Sequence, residues 1–545
     1  MNRPPWPVLV VLLLVLAATA LRIQAALRPG LWGDEIFSLA MATGHSLEHP
    51  AADADSSLGD FVEPRDAQPP SVLRRFAEQD HPAAGIRRVL RAVLLSDTSP
   101  PLYYLLLNLW TRASGTGDAA LRLFSVWWAM LSLPLLWALG RELGRPRAAW
   151  TACLLFSFSP VAIYYSVEGR MYSLVWFLAL CLMWSTVRLS RSPSHRAVGG
   201  RWLLAGAAGL LTHYFFAFVW VACLAWLWLR ARPRKHGRIG ALATVTLAAV
   251  LPWYVEVPTS LARWRVSGHW LDGDLSWPRA LGQPLVLAWG LLSGGSDLGG
   301  WQWANAVTGA LLLLLGIWLA WRGRGRRILS NQRLLLWGCV AAACFGPLAF
   351  DVLRHTTTVD VPRYVLAALP AAMLLAALAL SQLPPAMHLA ALSAILLAWL
   401  PGGWANLATV PRPWEPYRVV DADLEAWARP GDLILVHSIP SGVIGVARYL
   451  RRDIPLGSWV PQLGIRDMPA DLERLLAGRR RVALVKIHYA GAAAPAEPWL
   501  RTHALLLGQA GFPLSSAEVL YFAPSAGDAF PAAPSDDRRE VAAPR

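Results

Sequence analysis

WLLAGAAGLLTHYFFAFVWVACLAWLWL, from Trp202 to Leu229, is the stretch on which the topology turns. It is roughly one and a half membrane spans long, with Thr212-His213-Tyr214 near its middle. Arg188, Arg191, Arg196 and Arg201 precede it; Arg230, Arg232, Arg234, Lys235 and Arg238 follow it. Basic clusters mark the cytoplasmic ends of spans, so both flanks want the same side of a bilayer. Two short or tilted helices turning at His213 satisfy this, whereas a single crossing strands one cluster outside.

Working outward, apolar runs at Val8–Leu27, Ala119–Leu139, Ala148–Tyr165, Tyr172–Leu189, Ile239–Val257, Trp303–Trp321, Leu334–Phe350, Tyr364–Leu380 and Met387–Leu407 each read as one crossing. With the hairpin they give about eleven transmembrane helices. The first run resembles a signal peptide in its small residues Ala17, Ala18 and Ala20, but its length and the many later spans favour a retained helix. With the N-terminus inside, the basic segments Arg141–Arg147 and Arg322–Arg333 also fall inside, and the C-terminus falls outside.

The chain is 55% hydrophobic and 16% charged, which suits the bilayer as solvent. Its formal charge of +15 resides in short segments between apolar runs, so no nucleic-acid partner is expected. Cys153, Cys181, Cys223, Cys339 and Cys344 all lie within apolar runs, a placement that implies neither a disulfide framework nor a zinc site.

Residues 28–118 form a large first outer loop, acidic at Asp53, Asp55, Asp60, Glu63 and Asp66. Its stretches Val72–Phe76 and Ile86–Leu95 are amphipathic enough to lie on a membrane surface. After residue 410 the pattern changes: Asp432–His437, Arg481–His488 and Glu518–Phe522 read as strands, and Ser441–Leu450 and Ala470–Leu476 as helices. Residues 1–410 thus make an all-α polytopic membrane domain, 411–523 a small soluble α/β domain outside, and 524–545 a disordered tail.

The remaining polar residues fall on one side of this topology, at the outer interface. They are Asp34-Glu35, Asp97, Glu168, Arg170, His213, Tyr214 and Arg363. Each ionisable group at membrane depth costs roughly 2.5 to 3.5 kcal/mol, so a cluster at one level points to a polar cavity. Taken singly, each has a plainer reading. Asp34 caps a helix starting near Ile36, Glu168 and Arg170 pair with each other, and Arg363 snorkels. In Tyr164-Tyr165-Ser166-Val167-Glu168-Gly169-Arg170-Met171-Tyr172, a continuous helix puts Tyr164, Glu168 and Tyr172 on one face, although Gly169 can break it. An aromatic pocket with an acid and an arginine suits a sugar phosphate. Asp351, Arg354, His355 and Asp360 share one loop without an evident role.

Five motifs occur in order: Trp32-Gly33-Asp34-Glu35, Ser99-Pro100-Pro101-Leu102-Tyr103-Tyr104, the Tyr164–Tyr172 stretch, His213-Tyr214-Phe215 and Pro362-Arg363-Tyr364. The set resembles the GT-C membrane glycosyltransferases of family 39 type, which include protein O-mannosyltransferases and the aminoarabinose transferases that modify lipid A. The resemblance implies a polyprenyl-phosphate sugar donor and a lipid, glycan or protein acceptor. Asp34, with Glu35 beside it, matches the catalytic base. Arg170 or Arg363, with Tyr364, matches the phosphate contacts, and Asp97 matches a second acidic residue. Tyr103, Tyr164, Tyr165, Glu168, Tyr172, His213 and Tyr214 would line the substrate site. Many relatives carry histidine where this chain has Ser99, so a divalent metal, with Asp97 as a ligand, stays an open question, and no other cofactor is implied. The expected reaction is inverting transfer at the outer face of a bacterial cytoplasmic membrane. The alternatives are a lipid-linked oligosaccharide polymerase or ligase, and a transporter.

Overall fold

The computed structural model describes residues 6–531 except 29, 49–53, 97–98, 145, 193–194, 265–270, 274–275, 295–301, 324–329, 331, 409–415, 489–493, 513–516 and 528. The chain divides into two compact units. The first comprises residues 1–29, 98–262 and 268–410; the second comprises 30–97, 263–267 and 411–545.

The first unit is helical. Among the described residues seven helices are long and apolar enough to cross a membrane, or eight if one bent pair counts as a span. The stretch Trp202–Leu229 does fold back on itself, as helices Arg196–Leu210 and Phe216–Arg230 around a turn at His213. At 15 residues each, these helices rise only about 22 Å, short of the ~30 Å hydrocarbon layer. Gly209 makes the turn possible: a Cβ there would come within 2.1 Å of the Phe216 ring. A helix the sequence reading did not anticipate, Trp277–Ser293, lies between the runs expected at Ile239–Val257 and Trp303–Trp321. It carries Pro284 in its interior and 17 residues in all, too few to stand out as a span. The helix Leu369–Leu380 is buried at almost every position, so this unit packs around it.

The second unit holds a five-stranded mixed sheet in the order β2-β1-β3-β5-β4, with β1 Leu433–His437, β2 Leu456–Trp459, β3 Val482–Lys486, β4 Ala504–Phe512 and β5 Ala517–Pro524. β1 runs parallel to β2 and β3, while β5 is antiparallel to both β3 and β4. β1 and β3 are buried at every position, as expected for parallel strands covered on both faces. Leu435, Leu484, Leu472, Leu475, Leu500 and Phe522 fill the core on one side.

Residues 30–97 are built into this same unit. Gln68 and Leu456 exchange backbone hydrogen bonds of 2.9 and 2.8 Å along the edge of β2. The buried Arg466 donates to the carbonyls of Pro64, Arg65 and Ser458 at 2.5, 2.6 and 2.8 Å, and pairs with Glu63. Asp60 accepts from Ser46, from the Asp55 N–H and from both arms of Arg91. The amphipathic helix Ile86–Ser96 buries Val89, Ala92, Val93 and Leu95 and packs on the helix Gly33–Ala42. Its apolar face is therefore used inside the unit and is not left over for a membrane surface.

Candidate functional site

In the first unit the site region begins at a broken helix. Pro146–Phe158 and Pro160–Ser166 meet at 62°. The break frees backbone groups that hydrocarbon cannot satisfy. The Val161 N–H turns to the Gly294 carbonyl at 3.3 Å, and the Ser157 carbonyl it leaves behind accepts from Arg22 at 2.7 Å. Arg22 also donates to Ser166 Oγ at 2.8 Å, so one fully buried arginine bridges the end of the first helix and the end of the second. An arginine within an otherwise apolar first span is a visible signal, although its task here is structural.

The helix stops at Ser166 and resumes at Tyr172. A common face for Tyr164, Glu168 and Tyr172 at a spacing of four therefore does not form, because Glu168-Gly169-Arg170 is a turn. The turn is held by the Arg170 N–H on the Glu168 carbonyl at 2.8 Å and by Ser125 Oγ on the Arg170 carbonyl at 3.2 Å. Glu168 and Arg170 are both buried.

The tyrosines meet by another route. Tyr165 lies edge-on to Tyr164 and Tyr172 at 4.7 and 5.0 Å, and Tyr172 neighbours His213 at 6.2 Å. His213 in turn neighbours Tyr364 at 6.0 Å, and Tyr364 stacks on Phe215 at 4.4 Å with their planes 9° apart. Arg170 and Arg363 both act electrostatically on His213, and Glu168 and Arg363 both act on Tyr165. Residues from three distant stretches thus converge: Tyr164–Tyr172, His213–Phe215 and Arg363-Tyr364.

A fourth stretch adjoins them, since the Leu102 N–H donates to the Leu211 carbonyl at 2.8 Å. Tyr103 itself is buried against Tyr104 and Phe124 at 5.5 Å, and Tyr214 packs on Tyr254 at 5.6 Å. Asp97 lies outside the described residues. The loop before Arg363 has an organiser in Asp351. Its carboxylate accepts from Thr356 Oγ1, the Thr358 N–H and hydroxyl, and the Val359 N–H at 2.5 to 2.8 Å. Asp351 therefore shapes the approach to Arg363, which gives that loop the role its sequence did not disclose.

Asp34 and Glu35 lie in the second unit. Gly30 takes a positive φ of 124°, and the Leu31 N–H donates to Tyr449 Oη at 2.7 Å, which sets the turn. The helix begins at Gly33, three residues before the expected Ile36, so both carboxylates sit in its first turn, where the helix dipole favours them. The cap is Glu35 rather than Asp34: the fully buried Glu35 accepts from the Trp32 N–H at 3.2 Å. Asp34 keeps partial exposure. Its field reaches Tyr417, whose phenol is pushed up by burial first and by Asp34 and Asp421 next. It also reaches His488, whose imidazole is lowered by burial against an upward pull from Asp34. Sequence reasoning had no signal for Tyr417 or His488, because neither stands in a motif. Among the described residues no group of three or more His, Cys, Asp or Glu is arranged to hold a metal ion.

Residues 98–255 match the family model described as dolichyl-phosphate-mannose-protein mannosyltransferase. The fold is similar to the crystal structure of ArnT from Cupriavidus metallidurans in the apo state, at a TM-score of 0.56 and 14% identity over 94% of this chain and 97% of that one. The same protein bound to undecaprenyl phosphate aligns at a TM-score of 0.56 and 13% identity over 95% and 98% of the two chains. No curated protein sequence is significantly similar to the chain. The family model thus covers less than a third of the chain, taking in the Tyr164–Tyr172 and His213–Phe215 stretches but not Arg363-Tyr364, while the similarity of fold to ArnT extends over nearly the whole chain.

Proposed function

We propose that the protein transfers a sugar from a polyprenyl phosphate to an acceptor hydroxyl, with inversion, at the outer face of a bacterial cytoplasmic membrane. The observation that carries this reading is the convergence of Arg170 and Arg363 on one tyrosine- and histidine-lined region. Two guanidinium groups in a water-poor setting are suited to a phosphate whose charge grows as its bond to carbon breaks.

In the proposed reaction Asp34 takes the proton of the acceptor hydroxyl, and the oxygen attacks the anomeric carbon from the side opposite the phosphate. The bond from that carbon to the phosphate oxygen breaks, and its electron pair leaves with the polyprenyl phosphate. Arg170 and Arg363, with Tyr364, hold the departing phosphate. Tyr103, Tyr164, Tyr165, Glu168, Tyr172, His213 and Tyr214, with Asp97, shape the remainder. Because Glu35 is taken up in capping its own helix, Asp34 is the base of the pair. With the N-terminus inside and eleven crossings counted from the arginine placement, residues 1–410 carry the crossings, with 28–118 as an outer loop, and 411–523 form a domain outside.

The test is comparative mass spectrometry of lipids and glycans from cells with and without the protein, followed by reconstitution with the donor so identified. One glycan modification lost, with its polyprenyl-phosphate donor accumulating, is the expected result. Unchanged glycans together with lost uptake of a solute would make the protein a transporter instead.

A further inference from the structure

Strands β1, β2 and β3 follow the order 2-1-3, so the chain leaves β1 toward one side of the sheet and enters β3 on the other. In parallel sheets the crevice at the carboxyl ends of two such strands is where ligands bind. Here those ends lead to Ser441, in the first turn of the helix Pro440–Tyr449 after β1, and to His488, two residues past β3. His488 holds a left-handed φ of 49°, a conformation that non-glycine residues rarely adopt. Ser438 Oγ ties the two strand ends together by donating to the Ile487 carbonyl at 2.5 Å.

Among the described residues, three polar atoms near these strand ends have no hydrogen-bond partner: Tyr417 Oη, Ser441 Oγ and His488 Nε2. Tyr417 and Ser441 are fully buried, a costly state for groups left unsatisfied. The three atoms converge. A Cβ on Gly33 would lie 3.5 Å from Ser441 Oγ, 3.6 Å from Tyr417 Oη and 3.9 Å from His488 Nε2. Gly33 immediately precedes Asp34, so the point on which they converge adjoins the carboxylate assigned as base. All these residues belong to the second unit.

The chemistry of the three atoms selects the ligand. A phenol, an alcohol and a neutral imidazole each donate or accept, and none brings a positive charge. A phosphate or carboxylate would find no cation among the three and would face Asp34. A hydroxyl, which both donates and accepts, fits. We infer that Tyr417, Ser441 and His488 form the acceptor subsite, a crevice at the β1/β3 ends that takes neutral carbohydrate hydroxyls and presents one of them to Asp34. The inference rests on the reading of Asp34 as base, and it assigns the acceptor class as a glycan or glycolipid headgroup and not a phosphorylated or carboxylated one.

The test uses the full-length protein in lipid nanodiscs, with methyl mannoside, methyl N-acetylglucosaminide and myo-inositol as probes in saturation-transfer NMR. Wild type is expected to transfer saturation to at least one probe. Gly33→Ala places a methyl group at ordinary contact distance from all three atoms, so the fold tolerates it while the space is filled. It and Ser441→Ala should each weaken the probe about tenfold, the effect of losing one hydrogen bond. An unchanged thermal midpoint would show that neither variant unfolds the unit. Absence of saturation transfer in wild type, unaltered binding in both variants, or displacement of the probe by inorganic phosphate would each overturn the inference. Asp34→Asn separates the two readings. Probe binding kept with sugar transfer lost supports both, whereas transfer kept would overturn the base role and leave the subsite to stand or fall on Gly33→Ala.

Discussion

In the helical unit, Glu168, Arg170 and Arg363 are ionisable groups in an apolar chain; in the mixed-sheet unit, Tyr417, Ser441 and His488 are polar residues among many. The first set announces itself, because charge within membrane helices is expensive and survives only where something requires it. The second set is visible only after folding, when three unpartnered polar atoms converge beside Gly33, in contrast to Asp60 and Arg466, whose hydrogen bonds are met within the unit. Charge against background points to a candidate site in one solvent, and unmet hydrogen-bonding capacity points to one in the other.

Variants that separate the two regions sharpen this contrast. The largest effect is expected for Asp34→Asn, which should slow sugar transfer by roughly 10²–10⁴-fold with little change in donor binding. Glu35→Gln, by contrast, should cost stability more than turnover per folded molecule, because Glu35 is a cap. Arg170→Ala and Arg363→Ala should each lower kcat by about 10²–10³-fold, read in proteoliposomes with a defined donor, and lysine at either position should restore only part. If the arginine variants raised KM alone, the convergence on His213 would be a binding feature without a role in the bond-breaking step.

Two stability effects follow, one in each unit. Burial holds His45 down to about 4 from an ordinary 6.5, against an upward pull from Asp80 at 3.3 Å. Because the folded value lies below the unfolded one, this contribution is present above about pH 6.5 and is lost as pH falls toward 4, by about 3 kcal/mol at most. Hydrogen exchange should show residues 40–60 loosening over that window, and His45→Gln should flatten the dependence. In the helical unit, Gly209→Ala drives a methyl into the Phe216 ring and should cost about 1–3 kcal/mol in thermal unfolding. Adding Phe216→Leu should recover part of that loss if the hairpin closes as described.

Much of the helical unit was legible because arginine clusters and apolar length are direct consequences of the bilayer. The hairpin at His213 follows from its flanks alone. The helix Trp277–Ser293 escaped notice because Pro284 and its modest length weaken the apolar signal. In the second unit β1, β3 and β5 were readable as apolar runs, whereas β2 has only the four residues Leu-Gly-Ser-Trp, and the edge strand β4 is largely exposed. The membership of residues 30–97 in the same compact unit as the sheet depends on contacts such as Arg466 to Pro64, which span some four hundred positions and leave no local pattern. For the candidate site, motif order singled out Asp34, Arg170, His213 and Arg363, of which Arg170, His213 and Arg363 converge in the helical unit. The tyrosine contacts came about through a turn at Glu168-Gly169-Arg170, where a helical face had been expected.

The central claim is that a sugar leaves a lipid monophosphate. It is tested most directly by following undecaprenyl phosphate released from an undecaprenyl-phosphate-linked sugar when acceptor is added to the reconstituted protein. Release in step with glycosylated acceptor by the wild type, and neither product from the Arg170→Ala/Arg363→Ala double variant, is the predicted result. Sugar transfer from a lipid pyrophosphate alone, or solute movement without donor cleavage, would contradict it.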